Sequence, residues 1–439
     1  MIKLNESRNE GSRMYDIVII GAGVSGVFTA LGLLGSGKKV LVIEKGRPLP
    51  ERLQSDKPDA AFMGFGGLGI SEGKYNFTND FGGELAEKIG EQQAQGYAAK
   101  VEQVLNGYGA EKVETYITGH VDWQERAEKL GFSVLTTMTK HLGRETSIAV
   151  FAAFFQALQA EFDFSFDTEV AMLQKEMSSF SLTLASQDVI QAKQIVIATG
   201  RSGNTWLQEI AANWELEFAP ARLDLGLRVE MPGDQLDQLL QGAKEIKLRY
   251  GETFTYCMNR HGNVIRKRQE GLVMPDGQNY REAGASTNLN FTLFYPKYFP
   301  TATAANAYLQ KVVGGINQGE ERIVAGRLTE LDDHFQANNL EVEPTLEADF
   351  SDLTAEIPAE YVTATTDFLK QLETLLDRPI NGDTVVYGMD SKLYTPKLET
   401  NAVFETTITD LYLIGDCSGI TSSLSQAAAS GLYLADQLR

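Results

Sequence analysis

Residues 15–44 constrain the fold more than any other part of the chain. Tyr15-Asp16-Ile17-Val18-Ile19-Ile20 is a nearly continuous β-branched run, the pattern of a parallel strand buried on both faces. Gly21-Ala22-Gly23-Val24-Ser25-Gly26 follows with no spacer, and helical spacing runs from Val24 to Leu34. A second strand-like run, Lys39-Val40-Leu41-Val42-Ile43, ends in Glu44. Each glycine has its own geometric duty: Gly21 makes the tight turn, Gly23 lets a pyrophosphate approach the backbone, and Gly26 lets helix and strand pack closely. The helix start offers N–H groups and partial positive charge to phosphates. Glu44, 18 residues after Gly26, suits both hydroxyls of an adenosine ribose, and its charge disfavours a 2′-phosphate. The unit predicts an α/β, Rossmann-like domain with a bound dinucleotide.

Composition narrows the partners. The chain has 439 residues and a net charge of −20, which opposes nucleic-acid binding and a polybasic membrane anchor. Its two cysteines, Cys257 and Cys417, are too few for a disulfide framework or a Cys-rich metal site, and they fit a reducing cytoplasm. No metal-ligand spacing is present. The apolar segment Ile17–Leu34 mimics a signal peptide, but its glycines and the strand that follows argue for a folded nucleotide motif. No other run reaches the length of an integral membrane span. Residues 1–13 are polar and aperiodic, and are expected to form a flexible extension.

The first motif does not separate FAD from NAD. Three later features bear on the choice. Gln194-Ile195-Val196-Ile197-Ala198-Thr199-Gly200 is a strand ending in Ala-Thr-Gly. Leu411-Tyr412-Leu413-Ile414-Gly415-Asp416 is a strand ending in Gly-Asp, and Ser423 to Leu438 has helical spacing. In this order the three resemble the FAD-binding fold of glutathione-reductase-type flavoproteins. The resemblance implies that Thr199, Gly200, Gly415 and Asp416 line the cofactor, with Asp416 on the ribityl chain and adenine near the backbone of Val170. It also implies that the last helix points its start at the flavin pyrimidine ring. A narrower resemblance is to a bacterial family of uncharacterised FAD-dependent dehydrogenases. It rests on Gly64-Phe65-Gly66-Gly67-Leu68-Gly69 with Ser71-Glu72-Gly73-Lys74, His141-Leu142-Gly143, Asp224 to Glu230, Tyr256-Cys257-Met258-Asn259, and Gln426 to Gly431. The chain departs from that family's pattern at Tyr75-Asn76 and Arg260-His261.

The second glycine cluster, residues 64–69, also spells GxGxxG, yet no β-branched strand precedes it; residues 58–63 read as loop. It is expected to be a backbone-rich loop, with Gly66 and Gly67 against the flavin and pyrophosphate, the alternative being a surface loop. Lys74 and His141 are the catalytic candidates. Lys74 suits a substrate carboxylate or flavin N5, or simply a solvated loop edge; His141, ahead of a helical pattern from Ser147 to Ala160, suits a flavin-edge or a capping role. His120, His261 and His334 have no partner pattern. Cys417 has no neighbouring thiol and reads as a buried filler.

Segments 165–170, 180–185 and 189–198 read as short strands, and 84–106 and 364–376 as amphipathic helices. From about residue 219 the pattern changes to alternating strands such as Leu225–Glu230 and Asn288–Phe294. The expected architecture is a discontinuous FAD-binding domain, residues 14–218 and 384–439, with an inserted mixed α+β substrate domain at 219–383. Arg228, Asn259 and Ser286-Thr287-Asn288 are candidates to face the flavin, or to pack within a sheet. The expected activity is that of an FAD-dependent oxidoreductase moving a hydride through flavin N5 to or from a small molecule, with NAD(P)H as a possible transient donor. The alternatives are a flavin monooxygenase and a flavoprotein that uses FAD structurally.

Overall fold

The computed structural model describes residues 14–55, 63–118, 121–135, 137–240, 246–269, 271–278, 286–337 and 341–439. The 1–13 extension, most of the 58–63 loop and His120 lie outside the described residues. The chain forms two compact units: residues up to Ile117 with Thr137–Ala219 and Thr395–Arg439, and Thr118–Thr136 with Pro220–Tyr394.

The first unit is built on a seven-stranded sheet. Met14–Ile20 lies between Val40–Ile43 and Val189–Ile197, parallel to both, and Leu411–Leu413 runs parallel to Val189–Ile197. The register aligns Ile20 with Ile43 and Ile197, and Ile197 with Leu413. Four strands therefore end at one level, and Gly21, Glu44, Ala198 and Ile414 leave the sheet side by side. The apolar runs need cover on both faces, and they have it. Ile17, Ile19, Val40, Val42 and Val196 share a core with the helices Val24–Leu33, Gly143–Gln159 and Leu424–Leu438. Val18, Ile20, Leu41, Ile43, Ile195, Ile197, Leu411 and Leu413 face the other way, under the antiparallel strands Val170–Lys175 and Phe180–Leu184 and the helix Asn204–Asn213. Each such side chain contributes roughly 1.5–3 kcal/mol of hydrophobic stabilisation.

Local chemistry redraws two expected elements. The helix expected over 84–106 is split into Leu85–Ile89 and Glu91–Leu105 by Gly90, at φ +90°. The strand expected over 165–170 is a turn between Asp163–Ser165 and Val170–Lys175. Its backbone N–H groups are diverted from a ladder: Asp167 donates to the Gly46 carbonyl at 3.0 Å and Thr168 to that of Glu44 at 3.0 Å.

The second unit carries an eight-stranded sheet. Its central strand, Ala221–Pro232, pairs antiparallel with Asn288–Phe299 and Val385–Leu393. The odd positions Leu223, Leu225, Leu227, Val229 and Met231 join a core that includes residues of the helices Ala302–Asn317 and Ala359–Leu376. The even positions Asp224, Arg228 and Glu230 are equally buried but charged. The unit departs from the 219–383 bounds read in the sequence. Phe132–Leu135 pairs with Lys247–Tyr250, which draws 118–136 in, and Val385–Leu393 is a ladder neighbour of the central strand, which moves the end to Tyr394.

Candidate functional site

The site is the edge where the parallel strands of the first unit end. Gly21 has φ +107°, and a Cβ there would lie 2.4 Å from the Ala198 carbonyl oxygen. A Cβ on Gly26 would lie 2.0 Å from the Gly21 carbonyl oxygen, so only glycine lets the helix start this close to the strand. Gly23 differs. A Cβ there would meet no atom within 4 Å. The middle glycine borders open space at the start of a helix, where a phosphate would need room, and the residues present fit an extended dinucleotide.

The second glycine cluster closes over this loop. Gly66 donates its N–H to the Ala22 carbonyl at 2.7 Å, and a Cβ on Gly67 would lie 3.1 Å from the Gly23 Cα. Gly67–Ile70 forms a short 3₁₀ turn. The cluster is thus a backbone cover beside Gly23 rather than a second Rossmann turn. Glu44 ties the pieces together. It is buried, and its carboxylate accepts from the N–H of Ala22 at 2.8 Å, Gly46 at 2.8 Å and Gly64 at 3.2 Å. A carboxylate offers about four acceptor positions, so roughly one remains. That is fewer than the two ribose hydroxyls expected from the sequence.

Across the sheet edge, Gly200 follows Thr199 with φ +60° and open space around it. Gly415 has φ +71° and abuts Ser25, and its N–H donates to Ser430 Oγ at 3.3 Å. Asp416 accepts from Thr421 Oγ1 at 2.9 Å, and Arg201 Nε lies 3.5 Å from its other oxygen. Burial raises the Asp416 pKa, against the lowering effect of Thr421 and Arg201. Arg201 went unnoticed in the sequence, although it directly follows Gly200. Val170 is buried at the start of its strand. Burial pushes the Cys417 thiol up to about 11, and its Sγ donates to the Ile414 carbonyl at 3.1 Å, so it is a neutral filler at neutral pH.

Lys74 and His141 are brought together. They are direct partners between the antiparallel strands Lys74–Asn76 and Thr137–His141. Both are exposed, and His141 Nε2 lies 3.5 Å from Glu72 Oε2. The same short strand touches the last helix: Asn76 N–H donates to Ser425 Oγ at 2.6 Å. Ser423 caps that helix by accepting from Gln426 N–H at 3.2 Å. Tyr75, between them, is wholly buried, which raises its pKa and keeps the phenol protonated.

The polar candidates of the second unit are spent within its sheet. Arg228 is fully buried. Its guanidinium donates to Asn290 Oδ1 at 2.5 and 3.2 Å, to Thr292 Oγ1 at 3.0 Å and to the Cys257 carbonyl at 2.9 Å. Asn259 donates to the same carbonyl at 2.9 Å, and Asn288 donates to Glu230 Oε1 at 2.9 Å. Arg228 Nη1 also lies 3.7 Å from Asp276 Oδ1, so the buried charge has an acid beside it as well as its hydrogen bonds.

Residues 16–69 match the DAO family model, described as FAD dependent oxidoreductase, a span holding both glycine clusters and Glu44. No curated protein matches the sequence significantly. Among solved structures, the chain is similar to glycine oxidase from Geobacillus kaustophilus (12% identity over 97% of this chain and 94% of that one, TM-score 0.39). It is also similar to p-nitrophenol 4-monooxygenase from Pseudomonas putida DLL-E4 (12%, 97% and 80%, TM-score 0.38) and to glycine oxidase from Bacillus cereus ATCC 14579 (15%, 97% and 94%, TM-score 0.35). Overlaps this loose transfer no residue roles. Among the described residues no helix is long and apolar enough to cross a membrane. With the family match falling on the strand, glycine turn, carboxylate and cover that form the edge, the chain is an FAD-dependent oxidoreductase.

Proposed function

We propose that this enzyme is a reductase or dehydrogenase of the glutathione-reductase-type FAD fold, acting on a small molecule in the cytoplasm. The observation that carries the reading is the open space at Gly23, flanked by Gly67 at the edge where the strands end. Gly21, Gly23 and Gly26 receive the pyrophosphate, with Gly66 and Gly67 beside it. Glu44 spends its remaining acceptor position on one adenosine ribose hydroxyl, Val170 borders the adenine, and Thr199, Gly200, Gly415 and Asp416 border the ribityl side. Bound FAD supplies hydride transfer at its N5.

The protein's own groups supply the rest. The start of the helix Leu424–Leu438 favours negative charge near it. Lys74 and His141, as cross-strand neighbours, serve to hold a substrate anion and to exchange a proton with it. NADH or NADPH is the proposed electron donor and binds transiently. The test is an absorbance scan of the purified protein followed by anaerobic titration with each nucleotide. A flavin band near ~450 nm that one nucleotide bleaches is the expected result, since that chemistry belongs to the cofactor. A flavin that neither nucleotide reduces would refute the donor; a protein that binds no flavin would refute the cofactor reading.

A further inference from the structure

Arg52 is an unusual residue to bury. It sits on the short helix Leu49–Leu53, is 3% exposed, and was not a candidate from the sequence. Burying a guanidinium is costly, and an apolar side chain of similar length would fill the same space more cheaply. What the guanidinium adds is direction. Its Nη1 donates to the Phe65 carbonyl at 2.8 Å and approaches the Gly64 carbonyl at 3.5 Å. A Cβ on Gly64 would lie 3.0 Å from Arg52 Cδ, so loop and side chain are in direct contact.

The same loop is held from its other side by Glu44, which accepts from Gly64 N–H, and by the Arg47 carbonyl, which accepts from Phe65 N–H at 3.1 Å. Burial lowers the Arg52 pKa to about 10, Glu44 opposes that fall and Arg144 adds to it, so Arg52 stays charged at neutral pH. The segment Gly64–Phe65 is therefore gripped at its carbonyls by a cation and at its N–H groups by acceptors, immediately before Gly66 and Gly67 meet the dinucleotide turn. Nothing in the fold of the sheet requires this grip. The loop it fixes is the one that flanks Gly23.

We propose that Arg52 is a positioning residue for the cofactor: by holding the Gly64 and Phe65 carbonyls it fixes the second glycine loop beside Gly23 and so sets how tightly FAD is retained. The inference rests on the FAD site described above. Its test uses apo-protein made from the holoenzyme, with FAD titrated by fluorescence quenching and with melting temperatures recorded in both states. Arg52→Met is expected to weaken FAD binding about tenfold to hundredfold, the range for losing a buried charge-assisted hydrogen bond. The apo melting temperature should fall modestly, because the Phe65 carbonyl loses its donor, and the increment produced by FAD should shrink as well. Arg52→Lys, which keeps the charge and N–H donors but not the planar fork, should fall between Met and wild type. An unchanged FAD affinity in Arg52→Met overturns the proposal, and so does a lower apo melting temperature with unchanged affinity, which marks a purely structural role. If Arg52→Met does not fold, Arg52→Lys decides: a native circular dichroism spectrum with wild-type affinity overturns the proposal, and weaker affinity supports it. Wild-type protein that binds no FAD would overturn the cofactor reading itself.

Discussion

Gly23→Ala isolates the role of the dinucleotide turn. At most glycines of this edge an added methyl group tests folding and binding together. At Gly23 it tests binding alone. The backbone there has φ −73° and ψ −171°, values open to alanine, and an added Cβ meets no protein atom within 4 Å. Glycine to alanine at a compatible conformation stabilises a fold by about 0.4–1 kcal/mol, because the unfolded chain has less freedom to lose. Apo-protein carrying Gly23→Ala should therefore melt at or slightly above the wild-type temperature. FAD binding should fall sharply, because the methyl group occupies the space through which the pyrophosphate approaches. Loss of about 2–3 kcal/mol of close backbone contact corresponds to roughly 30- to 150-fold in affinity. Gly26→Ala is the contrasting control. Its Cβ would lie 2.0 Å from the Gly21 carbonyl oxygen, about 1 Å inside the closest approach that real Cβ atoms make, so the helix must move. Overpacking of that kind costs about 1–3 kcal/mol or more. The assay is a thermal melt of both apo-proteins and an FAD titration of each. Gly23→Ala protein that binds FAD like wild type would refute the placement of the pyrophosphate.

Glu44→Gln replaces an acceptor of three backbone N–H groups by an amide with one acceptor oxygen. The buried donors left behind should cost about 1–3 kcal/mol each, seen as a lower apo melting temperature together with weaker FAD binding. Asp416 has a folded pKa raised above its ordinary 3.8 by burial, so the folded protein holds that proton more tightly than the unfolded one. Its contribution to stability therefore falls as pH rises from about 4 towards the folded pKa. Asp416→Asn should melt at or above the wild-type temperature at neutral pH and converge with it towards pH 4, as melts across that range would record. Arg228→Ala leaves Asn290 Oδ1 and Thr292 Oγ1 without their donor and removes the cation 3.7 Å from Asp276, and should cost about 3–5 kcal/mol in urea unfolding.

How much of this was legible in the sequence differs by residue. The strand, turn, helix, strand and Glu44 could be read because each is local: a β-branched run, glycines at fixed offsets and a terminal acid interact within about 30 residues. The covering role of Gly66 and Gly67 was half legible. The lack of a β-branched run ahead of them in the sequence argued against a second nucleotide turn, but the contact with Gly23 spans 44 residues and has no local signature. Arg52 was invisible because an arginine on a short helix reads as a solvated surface residue until the fold puts carbonyls around it. Arg228 had the opposite history: a charge inside an alternating strand suggested a functional face, and the structure spends it on Asn290 and Thr292. The split at Gly90 could have been read from the glycine; the turn at 166–169 could not, because its partners lie at Glu44 and Gly46.

The charge of −20 looks hostile to an anionic dinucleotide, yet net charge is the wrong measure at this edge. At physiological ionic strength the screening length is about 8 Å, so exposed carboxylates farther away contribute little. What counts are the groups at the strand ends, and these come in offset pairs. Glu44 is the leading charge opposing the burial-driven fall of the Arg52 pKa, and three N–H dipoles converge on its oxygens. Asp416 has Arg201 at 3.5 Å and the Thr421 hydroxyl. With both acids engaged by donors of their own, the helix start and backbone N–H groups at Gly23 supply positive potential that cannot be titrated away. An acidic surface and an anion site are therefore compatible in one molecule, provided that each carboxylate near the site is held by donors of its own. That requirement gives a physical reason for the buried Arg52 to be an arginine, whose charge persists under burial where that of a lysine shifts readily.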